Sequence, residues 1–319
     1  KPVSPNIPLN AIAGLLGGLL LGIAVAVGLG FLDRRIKSAA DVEEMGVSVI
    51  GVLPSIESTT DNSSGRPARR RRRKNEPPPP NNRDLIVHTN PMSAAAECCR
   101  TIRTNLMFMS PDSPVRALVV TSPTPQEGKT TVACNIAISL AQSGKSVLLI
   151  DTDLRRPRVH RSFNMNGSSG ITSVLVKEAK LDEVIQKSIV PGLSVLPCGP
   201  IPPNPSELLY GPSFQELLAS TLTKFDRVVF DSPPLGAVTD AAVLGPQVDG
   251  VLIVVKAEKT TRDGLRSATR QLNDVNARIL GCVVNGVDLS SGTYGGGGYY
   301  AYYRDNYYGE DGLERDAAE

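Results

Sequence analysis

An uncharged, largely apolar run occupies residues 11–32 of the chain. At about 1.5 Å per residue, a helix over this run would be roughly 33 Å long, which is enough to cross the hydrocarbon core of a bilayer. The run is closed by Asp33-Arg34-Arg35-Ile36-Lys37, which contains three basic residues, whereas only Lys1 precedes it. This asymmetry predicts that the C-terminal side lies in the cytoplasm. A secretory signal is the alternative interpretation.

Short apolar runs alternate with helical patterns from residue 116 onward. The predicted strands are 117–121, 146–151, 193–196, 227–231, 250–255 and 279–284. Because each run is almost continuously apolar and helical crossovers separate them, the pattern predicts an α/β fold with a mostly parallel sheet covered by helices on both faces. Ligands of such sheets bind at the carboxyl ends of the strands.

Changes in composition divide the chain into segments. Residues 55–90 begin with a stretch rich in Ser, Asn, Arg and Pro, which has too little apolar surface to order itself. The predicted segments are a Pro-rich extracytoplasmic approach at 1–10, a transmembrane helix at 11–32, a juxtamembrane helix and strand-like run at 33–54, a disordered linker at 55–90, a folded domain at 91–289 and a flexible Tyr-rich tail at 290–319.

Charge is unevenly distributed although the formal net charge is only +2. The basic run Arg69–Lys74 predicts contact with anionic lipid, and a merely solvated linker is the alternative. Nucleic-acid binding is not expected, because no aromatic residues accompany this run. The five cysteines form no C-x-x-C pair, which favours buried thiols in a reducing compartment. A Cys98–Cys99 redox switch is the alternative.

Gly128, Lys129, Thr130 and Thr131 stand between the apolar strand at 117–121 and a helical run. A strand, a loop and a helix N-terminus in this order form a phosphate site, because loop amides and the helix end carry partial positive charge. Lys129 is predicted to bridge the terminal phosphates and Thr130 to ligate Mg²⁺. The first glycine of the usual pattern is replaced by a proline.

Three aspartates follow apolar strands downstream. Asp151 and Asp153 come after 147–150, and Asp231 comes after 228–230. Together they provide what phosphoryl transfer requires, a base for the acceptor hydroxyl and ligands for Mg²⁺. A helix N-cap is the alternative interpretation of Asp153.

Seven of the eight tyrosines lie after the last strand, in a glycine-rich segment that predicts a mobile tether carrying phosphoacceptors. They are Tyr294, Tyr299, Tyr300, Tyr302, Tyr303, Tyr307 and Tyr308. A sticky low-complexity tail is the alternative. Earlier in the chain, residues 92–109 predict an amphipathic helix on which Glu97, Arg100 and Arg103 share one stripe. For this stripe, an intrahelical ion-pair ladder is the alternative to a specific contact.

The chain resembles the bacterial tyrosine kinases (BY-kinases) of the polysaccharide co-polymerase and autokinase type. The nucleotide motifs of that family match SPTPQEGKTT, LLIDTDLRRP and VVFDSPP, and PNPSELL within 202–209 is also similar. The stripe of Glu97, Arg100 and Arg103 matches the family's subunit-contact motif, and the tail matches its autophosphorylation cluster. The resemblance covers nearly all of the chain, but the family's extracytoplasmic domain and first membrane helix have no counterpart in this sequence.

The resemblance implies an ATP- and Mg²⁺-dependent tyrosine autokinase at the bacterial inner membrane, with its kinase domain in the cytoplasm. The implied partners are other copies in a ring, a neighbour's tail as substrate, polysaccharide polymerisation and export machinery, and a tyrosine phosphatase. The implied roles are phosphate binding for Gly128, Lys129, Thr130 and Thr131, metal binding for Thr130, Asp153 and Asp231, proton abstraction for Asp151, and an adenine contact for Asn285.

A partitioning-type P-loop ATPase is the nearest competitor. Such proteins carry a second lysine early in the phosphate loop, where this chain has Thr124, and they follow the aspartate pair with Pro-Gln rather than Leu-Arg-Arg-Pro. They also lack a tyrosine tail. A non-catalytic membrane scaffold that uses ATP only for assembly is the third interpretation.

Overall fold

The computed structural model describes residues 7–32, 34–55, 82–109 and 114–287. The chain divides into two compact units at Arg35–Ile36. The first unit contains helix α1 (Ile7–Leu32), and the side chains described at positions 9–25 are all exposed. Within the described part of the chain, no helix combines the length and apolarity needed to cross a membrane. The transmembrane helix predicted at 11–32 is therefore unconfirmed.

The second unit is built on an eight-stranded sheet with the order β1-β8-β7-β2-β6-β3-β5-β4. All neighbouring strands are parallel except β4, which runs antiparallel to β5. The strands are β1 (Val49–Pro54), β2 (Ala117–Thr121), β3 (Val147–Asp151), β4 (Gln186–Lys187), β5 (Leu193–Leu196), β6 (Arg227–Asp231), β7 (Gly250–Lys256) and β8 (Ile279–Val287).

Helices cover both faces of the sheet. On one face lie α3 (Ile86–Thr89), α4 (Ala94–Phe108), α5 (Lys129–Gln142) and α6 (Val159–Ser162). On the other face lie α2 (Ala39–Glu43), α7 (Ile171–Leu175), α8 (Leu181–Val184), α9 (Pro205–Tyr210), α10 (Pro212–Lys224), α11 (Asp240–Leu244) and α12 (Arg262–Asp274). Among the described residues, the unit also contains the 3-10 turns Asn82–Leu85 and Gly245–Gln247.

The alternation of side chains along each strand produces two separate cores. In β2, Val119 packs into one core, whereas Leu118 and Val120 pack into the other. Since successive side chains point to opposite faces, a strand covered on both faces must be apolar at every position. The predicted mostly parallel, doubly covered sheet is confirmed.

The folded unit is larger than the predicted domain at 91–289. Strand β1, which belongs to the predicted juxtamembrane segment, pairs in parallel with β8 at the edge of the sheet. Residues 82–90, which were predicted to be linker, are ordered, and Leu85, Ile86 and Val87 are buried in the core beneath α4 and α5. The sequence interpretation missed this because the linker composition continues up to residue 83 and hides the short apolar run that follows.

Candidate functional site

The phosphate loop connects the end of β2 to the first turn of α5. Gly128 caps this helix in the left-handed conformation with φ of 93°, which only glycine adopts without strain. A Cβ built on Gly128 would lie 2.1 Å from Nδ2 of Asn285. Both the backbone conformation and the close approach of Asn285 therefore require glycine at position 128. The tight turn places the amides at the start of α5 at the carboxyl edge of the sheet.

A buried glutamate holds the loop from inside. Glu127 is fully buried and accepts hydrogen bonds from the backbone N–H and the hydroxyl of Thr124, both at 2.8 Å, and from the hydroxyl of Thr260. Burial raises the pKa of Glu127, although these donors favour the charged form. The glutamate thus joins the loop to the segment that follows β7.

Two further side chains support the loop through its carbonyl groups. The ammonium group of Lys259 donates to the carbonyl oxygens of Pro125 at 2.7 Å and Gln126 at 3.3 Å. Nδ2 of Asn285, near the end of β8, donates to the carbonyl oxygen of Glu127 at 2.8 Å. The amide predicted to face adenine therefore contacts the phosphate loop, and its contact with a base stays a prediction.

The carboxyl edge of the sheet brings Lys129 to the predicted aspartates. Its Nζ lies 2.9 Å from Oδ2 of Asp153 and 3.8 Å from Oδ1 of Asp231. Burial acts to lower the pKa of Lys129, but the carboxylates of Asp231 and Asp153 outweigh it, so the pKa is raised. The predicted phosphate-binding lysine is thus a charged group surrounded by acids.

Asp151 is fully occupied by the backbone of the loop that follows it. Oδ1 accepts the N–H of Asp153 at 3.2 Å, and Oδ2 accepts those of Arg158 and Val159, both at 2.9 Å. Burial, reinforced by the Asp231 carboxylate, raises the pKa of Asp151 to about 8. This side chain shapes the loop after β3 and is completely buried.

Asp231 lies beside Asp151 in the sheet, since the two residues are register partners of β6 and β3. Neither of its buried carboxylate oxygens accepts a hydrogen bond of normal geometry, although Lys129 forms a long ion pair with Oδ1 at 3.8 Å and the nearby Thr130 hydroxyl favours the charged form. Burial raises the pKa of Asp231, and the nearby Lys129 opposes that shift. A buried carboxylate with two unused oxygens requires an explanation, and a ligand that binds there provides one.

The neighbouring threonines of the loop point to different partners. Thr130 is nearly buried, and it belongs to the groups that favour the charged form of Asp231. The hydroxyl of Thr131 donates to Asp84, which the sequence interpretation placed in the linker. No group of three or more His, Cys, Asp or Glu side chains in the described ranges forms a metal-binding cluster by itself.

Known proteins are similar to this chain in sequence and in fold. Residues 126–281 match a family model described as an AAA domain. The chain is 42% identical to the tyrosine-protein kinase YwqD of Bacillus subtilis (strain 168) over 227 residues, which cover 70% of this chain and 94% of YwqD. A solved structure described as the kinase domain of Escherichia coli tyrosine kinase ETK is 34% identical, with a TM-score of 0.69, and the match covers 79% of this chain and 95% of that one.

The chain belongs to the bacterial tyrosine-protein kinase family. Membership favours a tyrosine kinase over a partitioning ATPase or a scaffold. Some relatives are much longer than this chain. The chain is 32% identical to the putative tyrosine-protein kinase in the cps region of Klebsiella pneumoniae over 287 residues, which are 90% of this chain but only 39% of that relative.

The predicted subunit-contact stripe of the kinase makes contacts within its own chain. On α4, the guanidinium of Arg100 pairs with Glu97 and also donates to the carbonyl oxygen of Pro91. The guanidinium of Arg103 donates to the carbonyl oxygen of Ser139 in α5 at 3.1 Å. The side chains of Glu97 and Arg100 are 43% and 29% exposed, so the pair remains accessible to a partner.

Two predicted functional regions of the kinase lie outside the described residues. One is the tail with Tyr294, Tyr299, Tyr300, Tyr302, Tyr303, Tyr307 and Tyr308. The other is the basic run Arg69–Lys74. The phosphate loop and the three aspartates are described completely, and the structure brings all of them together at one edge of the sheet.

Proposed function

We propose that the kinase binds ATP and Mg²⁺ at the carboxyl edge of β2, β3 and β6 and phosphorylates its own tail tyrosines. The observation that carries this proposal is the pair of buried Asp231 oxygens, which accept no hydrogen bond of normal geometry and lie beside Lys129 and the phosphate loop. Mg²⁺ in phosphoryl-transfer sites typically uses one or two carboxylates together with phosphate oxygens and water. The residues therefore fit a metal–nucleotide complex, although they form no metal cluster alone.

The phosphates would lie against the first-turn amides of α5. Lys129 would exchange its ion pair with Asp153 for the terminal phosphates, while Thr130 and Asp231 would hold Mg²⁺ and Asp153 would lie at the side of the metal ion. The metal ion, when bound, neutralises charge that develops on the transferring phosphoryl group. The amides that follow Gly128 are already fixed by the helix, so little reorganisation is needed when phosphate binds.

A carboxylate must accept the proton of the attacking tyrosine. The phenolic oxygen forms a bond to the γ-phosphorus, the bond to the β–γ bridging oxygen breaks, and ADP leaves. Asp151 was expected to act as base, and its raised pKa suits that role. However, both of its oxygens already accept hydrogen bonds from backbone N–H groups. The geometry favours Asp153, which is slightly exposed, as the group that reaches the acceptor.

The remaining functional assignments follow from the family resemblance. Subunits would form a ring through Glu97, Arg100 and Arg103 and present their tails to neighbours. α1 would anchor the chain in the bacterial inner membrane with Arg69–Lys74 on anionic lipid, which leaves the kinase domain in the cytoplasm. The exposed apolar side chains of α1 support this. The cycle would regulate exopolysaccharide polymerisation and export, and a tyrosine phosphatase would reverse it.

Phosphopeptide mass spectrometry after incubation with Mg-ATP tests the proposed kinase activity. Phosphate at residues 294–308 in the wild type, and none in Lys129→Met, is the expected result. A wild-type tail without phosphate would overturn autophosphorylation, and ATP hydrolysis in the same sample would favour the scaffold.

Mixing two variants, neither of which can phosphorylate its own tail, tests transfer between subunits. Lys129→Met keeps the tail but lacks the phosphate-binding lysine, and a truncation after residue 289 keeps the site but lacks the tail. Phosphorylation of the Lys129→Met tail in the mixture is expected. Its absence, while the truncated chain still hydrolyses ATP, would exclude transfer in trans.

A further inference from the structure

A buried carboxylate outside the nucleotide motifs connects three elements around the site. Asp84, in the 3-10 turn Asn82–Leu85, has no exposed surface. It accepts hydrogen bonds from the hydroxyls of Thr131 and Ser162 and from the guanidinium of Arg158 at 3.1 Å. These donors belong to the first turn of α5, to α6 and to the loop after β3.

Two of these donors are part of the nucleotide machinery or adjoin it. Thr131 directly follows Thr130 in the first turn of α5. Arg158 uses its side chain for Asp84, while its backbone N–H donates to Oδ2 of Asp151. Asp84 therefore links the helix that carries the phosphate loop to the loop that carries the aspartates.

The position of Asp84 is itself fixed by packing along α5. Asn135 of α5 donates from Nδ2 to the carbonyl oxygen of Arg83 at 2.9 Å and accepts the N–H of Val87 at 3.1 Å. Leu85 and Ile86 are buried in the same core. Residues 82–89 thus form a docked segment, and the hydrogen bonds of Asp84 depend on that docking.

We propose that Asp84 is a positioning residue, which holds the first turn of α5 against the loop after β3 so that nucleotide affinity depends on the docked segment 82–89. Asp84 acts through Thr131 and Arg158. Two loops held in the binding geometry lose less freedom when a ligand binds, which increases affinity. The proposal rests on nucleotide binding by Gly128–Thr131, as proposed above.

Calorimetric titration of the full chain with Mg-ADP tests this role. Asp84→Asn removes the charge and puts an amide among three donors, and we expect a Kd roughly tenfold weaker than that of the wild type. Steady-state kinetics should show a higher KM for ATP with a smaller change in kcat. The matched control is Asp182→Asn, because the Asp182 side chain is 72% exposed in its pair with Lys224, and its Kd should equal that of the wild type.

The outcomes separate this inference from the proposed function. A lower Tm of Asp84→Asn with an unchanged Kd would make Asp84 merely structural and overturn the inference. A wild-type chain that does not bind Mg-ADP would overturn the proposed nucleotide site instead.

A second pair of variants keeps the test valid if Asp84→Asn does not fold. Ser162→Ala loses a hydroxyl that donates to Asp84 and lies outside the nucleotide motifs, whereas Ser162→Thr keeps a hydroxyl. We expect Ser162→Thr to bind Mg-ADP more tightly than Ser162→Ala. Equal Kd values for the two variants would contradict a role of the Asp84 hydrogen bonds in positioning.

Discussion

The ends of β3 and β6 place two aspartates side by side in register, but the two carboxylates differ in the hydrogen bonds that they accept. Asp151 and Asp231 are equally buried. The loop after β3 turns back and provides Asp151 with three backbone donors, whereas Asp231 receives none. Burial alone therefore does not identify a reactive carboxylate. The distribution of hydrogen bonds distinguishes Asp151, which shapes the loop after β3, from Asp231, which is proposed to bind the ligand.

The largest effect should come from removing the charge of the unpartnered carboxylate. Asp231→Asn should lower kcat for tail phosphorylation at least about 100-fold, because the site loses a preorganised charge for the metal–nucleotide complex. Quantitative phosphotyrosine assays measure this, and Asp182→Asn provides the control. Near-normal turnover of Asp231→Asn would show that the open oxygens of β6 have no part in the reaction.

The same substitution in the two strands should affect stability differently. Asp151→Asn places an amide NH₂, which is itself a donor, opposite backbone N–H groups that have lost their acceptor. This should lower the free energy of unfolding by about 2 kcal/mol. Asp231→Asn breaks no hydrogen bond of normal geometry but removes a carboxylate that stabilises the buried Lys129 ammonium, so it should cost less than about 2 kcal/mol. Urea unfolding without nucleotide compares them. Equal losses would mean that the two carboxylates have equivalent surroundings.

A smaller effect concerns pH. Burial raises the pKa of both aspartates, that of Asp151 to about 8. The folded state therefore retains protons that the unfolded state releases from about pH 4 upward, and their contribution to stability is lost as the pH rises toward 8. We expect the stability of Asp231→Asn relative to the wild type to increase as the pH rises above about 4, because the pKa of Asp231 is raised. A pH-independent difference in urea unfolding would contradict the raised pKa.

The smallest expected effect on stability and nucleotide affinity is that of substituting Asn285, near the end of β8. Asn285→Ala removes one hydrogen bond to the phosphate loop and should cost about 1 kcal/mol of stability. If the amide only supports the loop, affinity for ATP and GTP should fall by the same factor. A change in the ratio of the two affinities would instead establish the predicted contact with adenine.

The central strands were predictable because a parallel strand covered on both faces is apolar throughout, as Val147 to Ile150 illustrate. The pairing of β1 with β8 was not, because nothing local specifies a partner more than 200 residues away. The two-residue strand β4 is polar and short, so it leaves no apolar pattern.

Motifs located the site residues but not their hydrogen bonds. Lys129, Asp153 and Asp231 meet as expected from strand order. The difference between Asp151 and Asp231 depends on the path of the loop after β3, which sequence spacing does not encode. Asp84 remained hidden because its partners Thr131 and Arg158 are 47 and 74 positions away.

The pairing of β1 with β8 also determines where two segments of opposite character begin. The N–H of Ser55 donates to the carbonyl oxygen of Val287 at 2.9 Å, so the Arg-rich stretch and the tyrosine-rich stretch leave the domain from one point. Groups tethered to a common origin share a high effective concentration whatever course the chains take. Under the proposed function, each phosphate on the tail would add roughly −1.5 to −2 charges. If the tail is phosphorylated as proposed, the added charge belongs to a segment that begins next to the start of the Arg-rich stretch.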